Sequence, residues 1–574
     1  MNNNTDNRRL YLAVALSAAV LFVWQKWFMP KPKPHLGADG GAVAKVIDGG
    51  SALPKVAAAG VATPPPSVKP EVPGAPKPPE QTTTFDQKDR TLVFSSYGGT
   101  LKSAVLKGEQ FKHEVDGKVV QVNMVEVENG QPLPFSTTLS GGFPKVPADL
   151  PYTMVRNPDG VTFTGQVGAL AITKRYVVPE HGYDLALEVT LRNTGSVPLA
   201  GELGVAVDTF VKPGSEPKRS FLMREAPVSH RLPLARVGKD THRQAKDKDG
   251  KAETVSGPLR FMGIDEQYFL AALYPVSPTD AAVTLTTPLD GLRQAIAQFK
   301  ESVAPGASQQ TTFGIFVGPK SKDVLENAGA SIPELKGAAP GLKDSVEYGM
   351  MEVISLMLLV VMRLFHSVIP NWGVAIILLT VAVKIATLPL TMKQMASAEK
   401  MKVLQPQMNA IKEKFKGDKE RQNTETMKLY QQSGVNPLSG CLPMLVQLPV
   451  FWGLWRLLEY AFDIYRQPFI SPWIKDLSAQ DPTYVLPVLL IVTMFGSQLM
   501  MPTMGDAAQQ KLMKYVMPVM FGVFMIGLPA GLSLYYVVNN LLNIAQQLYL
   551  RRKFPAARPP DNQNKNKKSR LATA

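Results

Sequence analysis

A lysine lies in the middle of a long apolar segment in the C-terminal half of the chain. The segment 376–391 reads IILLTVAVKIATLPLT, and its charged residue is Lys384. An ammonium group inside a membrane-spanning helix costs roughly 2.5–3.5 kcal/mol, and such residues usually face a water-filled cavity. The polar or small residues that share one side of the helix with it are Gly373, Thr380, Thr387 and Thr391. Lys384 is therefore predicted to be the charged member of a polar stripe.

Other apolar segments carry polar strips of their own. The segment 532–550 has polar residues at a heptad interval, and the segments 441–460 and 484–501 each carry at least one amide. Packed together, such helices could line a hydrophilic groove open to one side of the membrane. The predicted groove residues are Lys384, Thr380, Thr387, Gln447, Thr493, Gln498, Ser533, Tyr536 and Asn540.

Two plainer interpretations of these residues stay open. Lys384 lies seven residues before Thr391, which is about 10 Å of helix rise, so its long side chain could reach toward the membrane surface. Serine, threonine and asparagine also commonly join helices within membranes, each contributing less than about 1 kcal/mol. The one carboxylate inside a predicted span, Glu459, lies three residues from Arg456 near the outer end of 441–460 and is expected to form a local ion pair with it. No acidic partner for Lys384 appears inside any span, so we expect its counter-charge to be water, lipid phosphate or a visiting group.

The residue types that usually carry catalysis or bind metals form no pattern. The six histidines are scattered, Cys441 is the only cysteine, and we find no HExxH, phosphate-loop or GxSxG motif. The sequence therefore predicts no catalytic residue, no metal site, no cofactor and no intramolecular disulfide. We expect a protein that is not an enzyme.

The elements that hold the groove residues are predicted from hydropathy. Apolar segments at 10–29, 372–391, 441–460, 484–501, 515–528 and 532–550 predict six spans, five of them in a helical core. The first, 1–29, is predicted to be an uncleaved anchor because Trp24 and Trp27 follow its apolar run, with a cleaved signal peptide as the alternative. The segment 350–370 has a polar face and is predicted to be an interfacial amphipathic helix, with a span as the alternative.

Three further regions have their own composition. Residues 30–84 are rich in proline and alanine and predict an extended linker. Residues 85–345 show period-two alternation interrupted by glycine, asparagine and proline, which predicts an antiparallel β-sandwich domain. Residues 393–436, between the core spans, predict a helical hairpin outside the membrane. The chain is thus predicted to be a multi-domain membrane protein with an α-helical transmembrane bundle and an external all-β domain.

Basic residues set the predicted orientation. The hairpin carries nine lysines and arginines within 393–432, the tail 551–574 carries eight, and the loop 461–483 carries two. Because cytoplasmic loops are enriched in such residues, the hairpin and both termini are predicted to be cytoplasmic, and residues 30–370 external. The net charge of +15 is consistent with binding of anionic lipids or ribosomal RNA by the hairpin and tail.

Four long motifs resemble a known family. They are NPLSGCLPMLVQLPVF (436–451), SPWIKDLSAQDPTYVLPVL (471–489), VTMFGSQLMMPT (492–503) and LPAGLSLYYVVNNLLNIAQQ (528–547). In this order and spacing they resemble the YidC/Oxa/Alb membrane protein insertases, over roughly 350–553. The N-terminal anchor and large external insert are similar to the Gram-negative YidC form, whose external domain is a periplasmic β-supersandwich.

The resemblance implies a function without nucleotide hydrolysis. Members of this family insert and fold inner-membrane proteins through a hydrophilic groove open to the cytoplasm, alone or with the Sec translocon, and receive nascent membrane proteins from the ribosome. The family usually has arginine where this chain has Lys384, which keeps the charge but lacks the planar guanidinium fork. Thr380 and Tyr536 match family positions linked to client contact. The alternative, a secondary solute transporter with a periplasmic binding domain, should show internal repeats, and none is visible.

Overall fold

A computed structural model describes residues 78–115, 118–125, 131–211, 231–244, 252–287, 291–338, 340–434, 442–500 and 510–553. The predicted anchor 1–29, the predicted linker up to residue 77 and the tail after Lys553 lie outside the described residues.

The first half of the described chain is an antiparallel β domain followed by short helical turns. Its strands are β1 Thr82–Asp86, β2 Arg90–Ser95, β3 Thr100–Leu106, β4 Lys112–Val115, β5 Lys118–Gln121, β6 Ser136–Gly141, β7 Thr153–Asn157, β8 Gly160–Val167, β9 Leu170–Val177, β10 Asp184–Asn193, β11 Leu199–Phe210, β12 Leu232–Val237, β13 Asp240–Arg243, β14 Glu253–Asp265, β15 Phe269–Pro275, β16 Thr279–Thr286, β17 Leu292–Val303 and β18 Ser308–Pro319. Thirteen of them form one large sheet, with the main order β6-β11-β17-β16-β14-β15-β18-β10-β9-β8-β7. The predicted antiparallel all-β domain is confirmed.

Alternation of apolar and polar residues places the strands in this sheet. In β9, Leu170, Ile172, Lys174 and Tyr176 are buried while the alternate residues 171, 173 and 175 are half-buried. This is the period-two pattern of a strand with one face on the core. The long strands β11 and β17 pair over their whole lengths, and Asp208 lies opposite Gln294. The sheet thereby encloses a core of apolar side chains that includes Phe94, Phe163 and Phe313.

One inward position of β9 holds a charged residue. The side chain of Lys174 is fully buried, its Nζ donates a hydrogen bond to the carbonyl of Gly98 at 2.6 Å, and it lies 5.1 Å from the centre of the Tyr152 ring. Burial lowers the pKa of Lys174 to about 7, because removal from water disfavours the ammonium form.

Lys174→Met is therefore expected to stabilise the β domain at pH 7 by about 1–2 kcal/mol, because it removes a desolvation cost that exceeds the lost hydrogen bond. The unfolded lysine titrates near its ordinary value, so the unfolded state binds more protons between pH 7 and about 10.5, and the stability of the parent rises over that window. The advantage of the variant should shrink by up to about 1.4 kcal/mol per pH unit and reverse between about pH 8 and 9. Thermal unfolding of the full chain from pH 6 to 10 measures this. The same substitution at the exposed Lys300 is the control, and a pH-independent difference for Lys174→Met would contradict the assignment.

Helices make up most of the described chain after the β domain. They are α1 Lys322–Glu326, α2 Glu352–Val368, α3 Trp372–Lys414, α4 Lys419–Gln432, α5 Leu442–Tyr460, α6 Val485–Met500, α7 Met517–Ile526 and α8 Ala530–Lys553. A π-helical turn, Leu512–Val516, leads into α7. Residues 527–529 alone connect α7 to α8, so these two helices form a tight hairpin.

The helix α3 is longer than its apolar segment. The Oδ1 of Asn371 accepts a hydrogen bond from the backbone N–H of Val374 at 3.1 Å and caps its first turn. The helix then continues through the predicted boundary near residue 392 to Lys414, with Pro389 and Pro406 inside it. The change from apolar to basic residues at 392 changes the surroundings of the helix, not its backbone. The predicted hairpin therefore consists of the end of α3, a turn at Gly417 with φ of +106°, and α4.

By length and composition, two described helices could cross a membrane, at Gly349–Val368 and Trp372–Met392. Shorter apolar helices lie at Val485–Met500 and Leu512–Ile526. On α2, the exposed large apolar residues recur every three or four positions and are Val353, Met357, Val360, Leu364 and Val368. Its polar residues are held by protein: Ser355 donates a hydrogen bond to the carbonyl of Gly453 at 2.9 Å, and Arg363 pairs with Asp463 at 2.7 Å.

Candidate functional site

The polar strips of four helices meet at α8. Lys384 of α3 donates a hydrogen bond to Asn543, and Gln447 of α5 donates one to the hydroxyl of Tyr535. Asn540 lies 3.5 Å from Thr493 of α6, with its Nδ2 directed at the threonine Oγ1. The three contacts lie along nine residues of α8, from Tyr535 to Asn543, which is about 12 Å of helix. We call these side chains and their neighbours on the same helix faces the polar strip.

Lys384 is the charged member of the strip. It is half-buried, and the one hydrogen bond that its ammonium group makes within the described part of the chain is to the neutral amide of Asn543. None of the described carboxylates forms an ion pair with it. The amide orients the ammonium group without neutralising it, so the positive charge stays available to a visiting anion. The amide is neutral, so the expectation that the counter-charge of Lys384 is water, lipid phosphate or a visiting group stays a prediction.

The threonines of α3 are bonded to their own helix. Thr380 is buried, and its hydroxyl donates to the carbonyl of Ile376 at 2.7 Å. Thr387 is half-buried and donates to Val383 at 2.9 Å. Such bonds satisfy the hydroxyl donor and leave the oxygen able to accept. Thr387, one turn from Lys384, is the more accessible of the two.

Some predicted members lie in the strip without a cross-helix partner. Ser533 is 1% exposed, and its hydroxyl has no hydrogen-bond partner among the described residues. Gln547, in the same heptad row of α8 but outside the predicted set, has a buried Oε1 that is likewise unpartnered within the described chain. Gln498 is half-buried, and no hydrogen bond in the described ranges joins it to other members of the strip. The helical bundle is mostly apolar, and these side chains leave hydrogen-bonding capacity in it that other members of the strip do not use.

Tyr536 lies among aromatic rings rather than in the hydrogen-bond network. Its ring centre is 5.5 Å from that of Phe451 and 5.2 Å from that of Phe521, both in edge-to-face geometry. The sequence-derived residue set omitted Tyr535 and Asn543. Asn543 falls in the heptad row of α8 and could have been included, whereas Tyr535 is rotated by about 100° from that row and gave no signal.

One end of the strip is covered by the loop 461–484, which we call the cap loop. The backbone N–H groups of Ala530 and Gly531, at the start of α8, donate to the carbonyls of Ala479 and Leu477 at 2.7 and 3.0 Å. The Nδ2 of Asn371, at the start of α3, donates to the carbonyl of Phe469 at 3.0 Å. The cap loop therefore closes the strip at the N-terminal ends of both helices that carry most of it.

The opposite faces of these helices are apolar and exposed. Ile385 follows Lys384 directly and is 66% exposed, and Val492 precedes Thr493 and is 59% exposed. Exposed aliphatic faces around an internal polar strip are the arrangement expected in lipid. Fold and site together define a helical membrane protein with a polar internal strip, carrying a large β domain at one end.

Comparisons with known proteins give the family. The family model described as 60Kd inner membrane protein matches residues 364–557 of the chain. The family model described as YidC periplasmic domain matches residues 82–361. The chain belongs to the YidC family of membrane protein insertases, in the form that has a periplasmic domain. The resemblance seen in the four sequence motifs is thus confirmed.

Relatives match along nearly the whole chain. The membrane protein insertase YidC of Anaeromyxobacter dehalogenans (strain 2CP-1) is 36% identical, with 97% of this chain and 99% of the relative covered. That of Syntrophus aciditrophicus (strain SB) is 31% identical, with 95% and 99% covered. A crystal structure of an active YidC insertase with its first transmembrane domain resolved is 21% identical, covers 82% of this chain and 92% of that chain, and has a TM-score of 0.36.

Proposed function

We propose that this chain inserts nascent membrane proteins into the inner membrane by admitting their hydrophilic segments to the polar strip. The observation that carries the proposal is the half-buried charge of Lys384, bonded to the amide of Asn543 and without a described carboxylate partner. Its relatives are named membrane protein insertases. A nascent membrane protein is therefore the client that the strip is proposed to receive. The transporter alternative has no support among these relatives.

The strip would lower the cost of moving a polar segment part-way across the membrane. Buried polar groups need partners, and Asn540, Thr493 and Ser533 can supply them to a client backbone or side chain. The client-binding residues are proposed to be the nine predicted ones, together with Tyr535 and Asn543. No chemical bond is made or broken, and the proposal requires no nucleotide, metal or cofactor.

Attraction by Lys384 suits a transient contact. Two unit charges 4 Å apart gain about 4 kcal/mol at an effective dielectric of 20 and about 1 kcal/mol in bulk water. An acidic client flank would be drawn to a wet, half-buried ammonium by an energy in this range. A fully buried ion pair would hold the client too long for release.

The proposed orientation keeps both termini and the 393–436 hairpin cytoplasmic, with the β domain and the cap loop on the periplasmic side. The polar strip is then closed outside by the cap loop and open toward the cytoplasm. The exposed apolar row on α2 supports its placement at the membrane, with Arg363 turned toward Asp323 and Asp463 at 3.0 and 2.7 Å. With six spans, counting the N-terminal anchor, both termini lie on the same side of the membrane, as this orientation requires.

Three partners follow from charge and family. The basic hairpin and the tail 551–574 are proposed to meet the ribosome, where phosphate contacts would make binding salt-dependent. The same residues would attract anionic lipids. Cooperation with Sec translocon components is proposed from the family resemblance alone.

Reconstitution tests the function directly. The purified full chain in liposomes should protect from protease the short acidic tail of a newly synthesised single-span client. Protein-free liposomes and liposomes with an unrelated multi-span protein serve as controls. Protection equal to that in the controls would contradict an insertase that acts alone.

A further inference from the structure

We propose that the turn between β14 and β15, residues 266–268, is a latch by which the β domain holds the cap loop closed over the polar strip. The inference rests on the proposed topology, which places both on the periplasmic side. It assigns the β domain a positioning role for the outer end of the groove.

The turn contacts the helix α5 at one point and the cap loop at another. The Nε2 of Gln267 donates a hydrogen bond to the carbonyl of Glu459, in the last turn of α5, at 2.6 Å. The ring centre of Tyr268 lies 4.3 Å from that of Tyr465 in the cap loop. Tyr268 is 6% and Tyr465 9% exposed, so this contact is dry.

The cap loop places its aromatic residues in the core of the β domain. Tyr465 belongs to the same buried cluster as the sheet residues, and Phe462 packs against that cluster. Phe269 contacts the rings of Tyr465 and Phe462 at 5.5 and 6.2 Å, and Phe111 stacks on Phe462 at 5.9 Å. Withdrawal of the loop would expose large aromatic surfaces, each of which stabilises the closed position by burial and by ring geometry.

The turn itself is firmly held. Lys320 donates to the carboxylate of Asp265 at 2.6 Å and to the carbonyl of Glu266 at 3.2 Å. Arg243 pairs with the same Asp265 at 2.9 Å, and Arg231 pairs with Glu266 at 2.8 Å. Because these groups are largely buried, the turn moves with the sheet. A shift of the β domain would therefore carry the cap loop with it.

On the side away from the β domain, the cap loop contacts the groove helices α3 and α8. Besides the backbone bonds to Ala530 and Gly531, the ring of Phe469 lies directly against Gly373, where a Cβ atom would come within 2.1 Å of it. Gly373 is on the polar side of α3, about three turns from Lys384. The contacts thus form an unbroken series from the sheet, through Tyr268 and Tyr465, to the helices of the strip.

Access to Ser533 from outside measures the latch. In the full chain with Cys441→Ser and Ser533→Cys, a membrane-impermeant maleimide added to the outer side should label residue 533 slowly, because it is buried near the cap loop. Adding Tyr268→Ala together with Gln267→Ala should raise the labelling rate about tenfold or more, equivalent to about 1.4 kcal/mol of opening free energy. Tyr268→Phe keeps the ring and should leave the rate at the parental level.

Two controls separate the possible failures. Phe163→Ala removes a buried ring of the β domain that contacts Phe94 and Tyr176, away from the turn, and should not raise labelling. An equal rise in that variant would show general loosening and overturn the latch, as would an unchanged rate in the double variant. Lys475→Cys, on the exposed part of the cap loop, must label from outside. If it does not, the topology is wrong and the latch with it.

Discussion

Replacing Lys384 with glutamate is expected to lower insertion of a client with an acidic translocated flank by about tenfold or more, because about 1.4 kcal/mol of lost attraction already gives tenfold. The substitution turns attraction into repulsion at a site where a unit charge pair is worth about 1–4 kcal/mol. Lys384→Ala should give a smaller loss, since it removes the charge without reversing it. Lys384→Arg should stay near the parent because the charge remains.

The same client with a neutral flank is the matched control. Protease-protected insertion of both clients, measured for all three variants at equal membrane levels, separates charge attraction from damage to the bundle. Asn543→Ala should be milder than Lys384→Ala, because the ammonium remains and loses only its orienting amide. If every variant inserts both flanks as the parent does, Lys384 is an anchor that reaches toward the membrane surface, and the electrostatic part of the account fails.

The sequence was sufficient to predict the helices and the side of each helix that carries polar residues. Hydropathy and the heptad spacing of Ser533, Tyr536 and Asn540 depend only on local periodicity, and the structure places all three on α8. The continuation of α3 to Lys414 was not foreseen, because hydropathy reports the surroundings of a helix and not where its hydrogen bonds end.

Contacts between distant segments could not be predicted from the sequence. The pairing of Gln447 with Tyr535 depends on how two helices are rotated against each other. The sheet order that puts β11 between β6 and β17 depends on long-range pairing. Likewise, nothing in the pattern around Tyr465 indicates that a loop between two apolar helices completes the core of the β domain. Alternation identifies strands, but it does not identify their neighbours.

Client contact is expected to be confined to one side of the groove helices. A photo-crosslinking residue at Thr387 or Tyr536 should capture an arriving client strongly, because both positions lie in or beside the polar strip. Ile385, two residues before Thr387, is 66% exposed on the apolar side, and Val492 is the corresponding position on α6. Crosslinkers there should react with lipid instead, since a hydrophilic segment gains nothing from an aliphatic face.

Crosslinking of a stalled nascent membrane protein to these four positions in cells tests the central claim most directly. The account predicts client adducts several times stronger at Thr387 and Tyr536 than at Ile385 and Val492, with the adduct at Thr387 weakened when Lys384 is replaced by glutamate. Equal adducts at all four positions, or adducts only at Ile385 and Val492, would contradict insertion through the polar strip and place the client on the lipid-facing surface.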